Sequence, residues 1–265
     1  MVWRPSRIAW LVFSAALCST PAAKAQTVIS GFGNGTGFAF NSNGTLPLIT
    51  NGVLLITDGG LGESRSVFFN TRLGIDSFTA QFTFQASGSF LADGIAFVLQ
   101  NDSRGASALG DGGSGLGYGG IAPSAAYEIN IYSGHVIGGT LATNGAYGTY
   151  DPTGNVSFTS GNPIRVTLAY NGTLLSTTLL DLTTNQTFQT SYTVNLSNVL
   201  GGHTAYVGFT GATGALTSTQ TISNFTFTSI PEPTSVALMC AGLIGVGLVE
   251  GRRRLAIRRV REQRA

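Results

Sequence analysis

Side chains able to do acid–base or nucleophilic chemistry are sparse in the middle of the chain. Residues 26–230 contain no cysteine and no lysine, and their two histidines lie in no recognisable acyl-transfer motif. Two carboxylates, Asp93 and Glu128, adjoin stretches typical of strands. The next positions on the strand face that carries Glu128 are Asn130 and Tyr132. Because one carboxylate cannot act as both nucleophile and general acid, this spacing argues against a catalytic carboxylate pair.

The elements that must position these side chains are predicted to be strands. Apolar and polar residues alternate over 78–85, which places one apolar set on one face of a sheet. The same alternation runs over 164–170 and is followed by Asn171-Gly172, a pair typical of hairpin turns, and by a further strand at 173–180. These segments indicate half-buried antiparallel strands.

Two other stretches, 95–99 and 205–209, are almost continuously apolar, as expected of strands that are covered on both faces. No window of comparable length between residues 26 and 230 has helical periodicity. The chain has 37 glycines but only 8 prolines and 10% charged residues, which disfavours collagen, disordered linkers and helical bundles. We therefore predict one all-β domain built from two packed antiparallel sheets.

A glycine-rich run, GGSGLGYGG at 112–120, lies between strand predictions. It lacks both the G-x-G-x-x-G opening of a helix and a G-K-[ST] ending, so it is a poor phosphate-binding loop. Two interpretations stay open: a flexible surface loop, or a backbone that approaches a ligand closely where no side chain fits.

The formal net charge of +2 is unevenly distributed. Residues 1–25 carry Arg4 and Arg7, the apolar run 8–18 and an A-x-A site at 23–25, which is the pattern of a secretory signal peptide cut by signal peptidase. We therefore predict an N-terminal signal helix and export. The apolar run is about half the roughly 20 residues that a membrane span needs, so a transmembrane helix is the weaker interpretation.

In the segment 231–265 the arginines follow the apolar run, whereas in 1–25 they precede it. Pro231, Glu232 and Pro233 precede 14 uncharged residues at 236–249, which seven arginines follow. A helix of that length covers about 21 Å, which is short of the roughly 30 Å hydrocarbon core, and the arginines favour the cytoplasmic side. The pattern predicts a short hydrophobic helix that anchors the chain transiently in the inner membrane; an ordinary permanent anchor is the alternative.

This segment resembles the PEP-CTERM sorting signal of exopolysaccharide-producing Gram-negative bacteria, in its Pro-Glu-Pro at 231–233, its short apolar helix and its arginine cluster. The resemblance implies recognition and cleavage by an exosortase-type transpeptidase. It implies release to the cell surface or the extracellular matrix.

The middle of the chain also resembles a known family. The stretches ADGIAFVL at 92–99 and YVGFTGATGA at 206–215, together with Leu116-Gly117, Ala126-Tyr127-Glu128 and the strand at 222–227, fall in the order found in legume-type (L-type) lectins. The resemblance spans most of 26–230. It implies a concanavalin-A-like jelly-roll sandwich and an activity of carbohydrate binding without catalysis.

The resemblance also implies a sugar site. Asp93 matches the family's sugar-contacting aspartate, Gly115 approximately matches the glycine whose backbone N–H reaches the sugar, and Ala215 with Leu216 match the specificity loop. A fixed carboxylate and neighbouring backbone N–H groups suit vicinal hydroxyls, which both donate and accept hydrogen bonds. Tyr118 or Tyr132 is a further candidate for stacking on a sugar, with packing as the equally simple role.

The resemblance further implies cofactors, Ca²⁺ and a transition metal, with Glu128, Asn130 and the Tyr132 carbonyl as the candidate ligands. The sequence departs from the family pattern here, because Asn130 replaces an aspartate and Gly134 stands where an asparagine is expected. Calcium prefers six to eight oxygen ligands with carboxylate charge, so we expect a weakened site.

The expected function is that of an exported glycan- or exopolysaccharide-binding protein. Two alternatives stay open: a matrix or surface protein that uses the fold as a scaffold without binding, and a glycoside hydrolase that would depend on Glu128. Residues 26–230 hold four arginines and nine carboxylates, a formal charge of −5. This charge argues against nucleic acid or anionic lipid as the ligand and favours neutral over acidic glycans.

Overall fold

A computed structural model of the chain describes residues 28–230. Within this range the chain forms short connections and strands, one α-helix, α1 (Leu196–Leu200), and two 3₁₀ turns, Gly105–Ser107 and Gly113–Gly115. In chain order the strands are β1 (Val28–Ser30), β2 (Phe38–Ser42), β3 (Leu48–Thr50), β4 (Val53–Asp58), β5 (Ser64–Phe69), β6 (Leu73–Gly74), β7 (Phe78–Ser87), β8 (Gly94–Gln100), β9 (Ser124–Asn130), β10 (Gly138–Thr143), β11 (Asp151–Pro152), β12 (Ile164–Tyr170), β13 (Leu174–Asp181), β14 (Thr187–Thr193), β15 (Thr204–Ala212) and β16 (Thr219–Ser229).

The strands form two antiparallel sheets. The first has the order β14-β13-β12-β7-β16-β4-β3, with β1 also paired to β16. The second has the order β11-β10-β9-β8-β15-β5-β2, with β6 also paired to β15. Neighbouring strands are often distant in sequence, so the sandwich is closed by non-local pairing, and the all-β prediction is confirmed.

The core between the sheets is built from the alternating residues that the sequence analysis identified. Phe82 of β7 packs edge-on against Phe209 of β15 at 4.9 Å between ring centroids, and Phe209 packs against Phe225 of β16 at 4.8 Å. Edge-to-face packing is the geometry that aromatic quadrupoles favour. Ile95, Phe97 and Leu99 of β8 also face this core.

A second apolar cluster explains why 95–99 is apolar at every position. Ala96 and Val98 point away from the inter-sheet core and pack under the connection between β8 and β9, against Tyr118 and Ile121. The strand is thus covered on both faces, as predicted. At these positions the outer face of the second sheet is therefore covered by the connection between β8 and β9.

The glycine-rich run differs from the flexible-loop interpretation. It contains the 3₁₀ turn Gly113–Gly115 and the buried side chains of Leu116 and Tyr118. The Tyr118 hydroxyl lies 2.8 Å from Ser124 Oγ and accepts a hydrogen bond from Gly145 N–H, so this ring is a packing residue. The short helix α1, capped by the Asn195 side chain, was not expected, because five residues are too few to show a helical period.

The predicted signal helix in 1–25 and the short hydrophobic helix in 231–265 lie outside the described residues. Within residues 28–230, no helix is long and apolar enough to span a membrane.

Candidate functional site

Asp93 lies at one rim of the sandwich, immediately before β8. Its backbone N–H donates to Ala212 O at 3.0 Å and its carbonyl accepts from Ile131 N–H at 2.9 Å, so the residue is fixed between the ends of β15 and β9. Its side chain is buried, and among the described residues Oδ2 has no hydrogen-bond partner. Burial raises the pKa of this carboxyl, and the nearby His135 opposes the shift.

Two glycines lie close to that carboxylate. A Cβ added at Gly214 would lie 2.9 Å from Asp93 Oδ2, and one added at Gly113 would lie 3.9 Å from the same atom. Gly113 also has a φ of +55°, a conformation that L side chains rarely adopt. A side chain at Gly214 would therefore collide with the carboxylate, and one at Gly113 would cover it. We call Asp93, Gly113, Gly214, Ala215 and Leu216 the Asp93 site.

The loop that carries Ala215 and Leu216 is held by the residue before Gly214. Thr213 N–H donates to Glu63 O at 3.0 Å, Glu63 N–H donates to Thr213 Oγ1 at 3.0 Å, and that hydroxyl donates to Gly60 O at 2.7 Å. Thr213 is fully buried. The connection between β4 and β5 therefore fixes where the loop after β15 begins.

After Thr213, Ala215 and Leu216 line a cavity of about 400 Å³ together with Leu61 and Phe90. Phe90 is 71% exposed and Leu61 is 72% exposed. These large apolar side chains are open to solvent, and Ala215 and Leu216 connect the cavity to the Asp93 site because they directly follow Gly214 in the chain. Ala215 and Leu216 are residues predicted from the sequence, whereas no sequence pattern indicated Phe90.

Gly115 is placed differently from the expectation. The 3₁₀ turn carries it away from Asp93, and its N–H donates to Gly112 O at 3.0 Å. A Cβ at Gly115 would lie 2.9 Å from Asp111 Cβ and 3.1 Å from the Tyr147 hydroxyl. Gly113, two residues earlier in the same run, is the glycine beside the carboxylate. The glycine-rich pattern pointed to the right segment, but only its folded turn distinguishes the two positions.

Glu128 lies on the outer face of β9 and is 1% exposed. Gly148 N–H donates to its Oε2 at 3.0 Å. Burial raises the pKa of Glu128 to about 7, while the Gly148 N–H and the nearby Tyr150 hydroxyl oppose the shift. Burial and the carboxylates of Glu128 and Asp93 raise the pKa of Tyr150. Tyr150 therefore lies near both acids, which no local sequence pattern indicated.

Asn130, the second candidate metal ligand, uses its side chain within the protein. Its Nδ2 donates to Tyr132 O at 3.0 Å and to Val136 O at 2.8 Å, and its Oδ1 accepts from Tyr132 N–H at 3.3 Å. The Tyr132 carbonyl, the third candidate ligand, thus already accepts a hydrogen bond. A Cβ at Gly134 would lie 2.3 Å from the Tyr132 ring, so that ring fills the space of a further side-chain ligand.

This donor set does not fit a calcium ion. A cation requires oxygen lone pairs directed at one point, whereas Asn130 directs an NH₂ group at the carbonyls. Across residues 28–230, no three His, Cys, Asp or Glu side chains come together as a metal site. Two of the three expected ligands, Asn130 and Tyr132, therefore form hydrogen bonds with each other.

Comparisons with known proteins agree with this fold. The family model described as the legume lectin domain matches residues 137–238, and the model described as the PEP-CTERM protein-sorting motif matches residues 229–254. A putative L-type lectin-domain containing receptor kinase I.1 of Arabidopsis thaliana is 40% identical over 70 residues, which is 26% of this chain and 10% of the kinase. The related receptor kinase I.7 is 34% identical over 76 residues, or 28% of this chain. The chain spans about a tenth of the length of these curated relatives.

Solved structures extend the likeness to the whole sandwich. Arcelin-5, a lectin-like defense protein from Phaseolus vulgaris, aligns with a TM-score of 0.65 at 20% identity over 78% of this chain and 99% of its own. The basic winged bean lectin with Tn-antigen gives 0.66 at 18% identity over 78% and 100%. The lectin from Bauhinia forficata in complex with GalNAc gives 0.65 at 16% over 78% and 99%. The chain therefore has the legume lectin fold, with a match to the legume lectin domain at 137–238 and a PEP-CTERM protein-sorting motif at 229–254.

Proposed function

We propose that this exported lectin-like protein binds a neutral glycan at the Asp93 site. The observation that carries the proposal is the buried Asp93 Oδ2, which has no hydrogen-bond partner among the described residues and is covered only by the backbone of Gly113 and Gly214 on that side. A buried carboxylate oxygen without a partner is costly, so a ligand that donates hydrogen bonds to it regains much of that cost.

A sugar ring fits the surroundings of this oxygen. Its vicinal hydroxyls donate to Asp93, and its C–H face packs against an apolar wall such as the one formed by Phe90 and Leu216. The fold neighbours named above include lectins in complex with GalNAc and with Tn-antigen, which supports a sugar ligand here. The −5 charge of residues 26–230 favours an uncharged glycan over an acidic one.

The binding that we propose is non-catalytic. Glu128 has the raised pKa of a potential general acid, but its neighbours on the outer face of β9 are Ala126 and Asn130, neither of which is a carboxylate. Glu128 instead holds the connection that follows β10, through Gly148 N–H. We assign it a structural role in that connection.

The test is retention on glycan arrays and on exopolysaccharide from the producing organism, with the wild-type chain and Asp93→Asn. The substitution keeps the shape of the side chain but removes the charge, so we expect at least a tenfold loss of retention. The matched control is Asp76→Asn, an exposed carboxylate paired with His203 near the opposite end of β15, which should bind like wild type.

Equal retention of wild type and Asp93→Asn would contradict the site, and no retention of wild type on any glycan would favour the alternative of a non-binding matrix or surface protein. Release of sugar from the polysaccharide that disappears in Glu128→Gln would replace the lectin proposal by a glycoside hydrolase.

A further inference from the structure

The Asn130 side chain is 2% exposed and makes three hydrogen bonds to one turn. Two carbonyl oxygens, those of Tyr132 and Val136, point at its NH₂ group, and the Tyr132 N–H points at its Oδ1. The amide thus presents positive hydrogens to a pair of inward-facing carbonyls, which is the electrostatic role that a bound cation plays in an oxygen-lined site.

The orientation of this amide is determined by its partners. If it were flipped, Oδ1 would face two carbonyl oxygens and the NH₂ group would face the Tyr132 N–H, so every interaction would become repulsive. The turn in question adjoins the Asp93 site, since Ile131 N–H donates to Asp93 O at 2.9 Å and His135 influences the pKa of Asp93.

We propose that Asn130 replaces a divalent cation in this protein, so that the turn 132–136 and the adjacent Asp93 are ordered without calcium. The structural part stands independently of the proposed function. The consequence for binding rests on that function: glycan retention, where it occurs, needs no metal.

The same hydrogen bonds predict how the variant Asn130→Asp should respond to calcium. Replacing Asn130 by Asp exchanges the two N–H donors for a carboxylate oxygen, which then faces the carbonyls of Tyr132 and Val136. Oxygens alone, with one negative charge, are the ligands that calcium prefers. The variant Asn130→Asp should therefore be unstable in chelator and should regain stability when calcium is added.

The experiment is thermal unfolding of the full chain in detergent, in EDTA and in millimolar calcium, for wild type, Asn130→Asp and Asn130→Ala. We expect the wild-type Tm to be the same in both conditions. Asn130→Ala should lose about 6–12 °C in both, because three hydrogen bonds of about 1 kcal/mol each are removed and each kcal/mol lowers the Tm by about 2–4 °C in a domain of this size. Asn130→Asp should lose a similar amount in EDTA and recover most of it in calcium. Asn155→Asp, which adds the same charge at an exposed position, should show no response to calcium.

Calorimetric titration of wild type with CaCl₂ keeps the proposal testable even where a variant does not fold, and it should give no binding heat. A calcium-dependent rise in the wild-type Tm, measurable calcium binding to wild type, or full stability of Asn130→Ala would each overturn the proposal. Absence of glycan retention in both EDTA and calcium would count against the proposed function alone, because the unfolding measurements do not depend on it.

Discussion

At the scale of single residues, Asp102 shows how one carboxylate can close a long connection. It accepts hydrogen bonds from Arg104 N–H, Nε and Nη2 at 2.7–2.9 Å and from Ala122 N–H at 3.1 Å. The two ends of the segment that contains the glycine-rich run are therefore tied to one side chain. These hydrogen bonds, those from Arg104 above all, lower the pKa of Asp102 to about 2.

This shift predicts pH-dependent stability. The folded-state pKa lies below the unfolded value near 3.9, so the charged Asp102 stabilises the fold above pH 4, and this contribution disappears as the pH falls towards 2. Asp102→Asn should lower the free energy of unfolding by about 1–2 kcal/mol at pH 7, a range reduced for the partial exposure of Arg104. Denaturant unfolding at several pH values checks this. A deficit that stays the same at pH 2.5 would show that the charge is not the cause.

At the scale of elements, the loop that carries Ala215 and Leu216 depends on a connection in another part of the chain. Thr213→Val removes the hydroxyl that bonds Gly60 O and accepts from Glu63 N–H, and it leaves that buried N–H without a partner. We expect a loss of about 1–3 kcal/mol in the free energy of unfolding.

The matched control for this change is Thr193→Val, at an exposed position of the edge strand β14, which should change stability by less than about 0.5 kcal/mol. If the proposed function holds, Thr213→Val should also weaken glycan retention while Asp93 is unchanged. Equal unfolding midpoints for the two variants would mean that the Thr213 hydroxyl does not anchor the loop.

Some of these elements could be predicted from the sequence, and others could not. The strands at 78–85, 95–99 and 164–170 were predictable because alternation and continuous apolarity are local properties. The placement of Gly113 instead of Gly115 beside Asp93 was not, because it depends on a turn inside a glycine run. The hydrogen bonds of Asn130 are formed with its own turn, yet residue types alone do not reveal which way an amide points.

At the scale of the whole molecule, the PEP-CTERM motif at 229–254 predicts processing after export. We expect the secreted form to begin at Gln26 and to lack the residues beyond the Pro-Glu-Pro at 231–233. Intact-mass spectrometry of the extracellular protein checks both ends. A mass that includes residues 234–265 would contradict cleavage of the tail, and substitution of Pro231 and Pro233 by Ala should retain the chain at the membrane.

Solvent exposure is divided unevenly between the strand framework and the rim that carries the Asp93 site, and this division decides where substitutions are tolerated. A Cβ at Gly208 of β15 would lie 2.1 Å from Val67 O, so this framework position tolerates no side chain. Phe90, at 71% exposure, and Leu216, at 36%, touch solvent instead. Substitutions at such exposed positions change stability little. If the proposed function holds, new ligand preferences can therefore be selected at the rim, by natural drift or in a mutant library, while the strand framework stays constant.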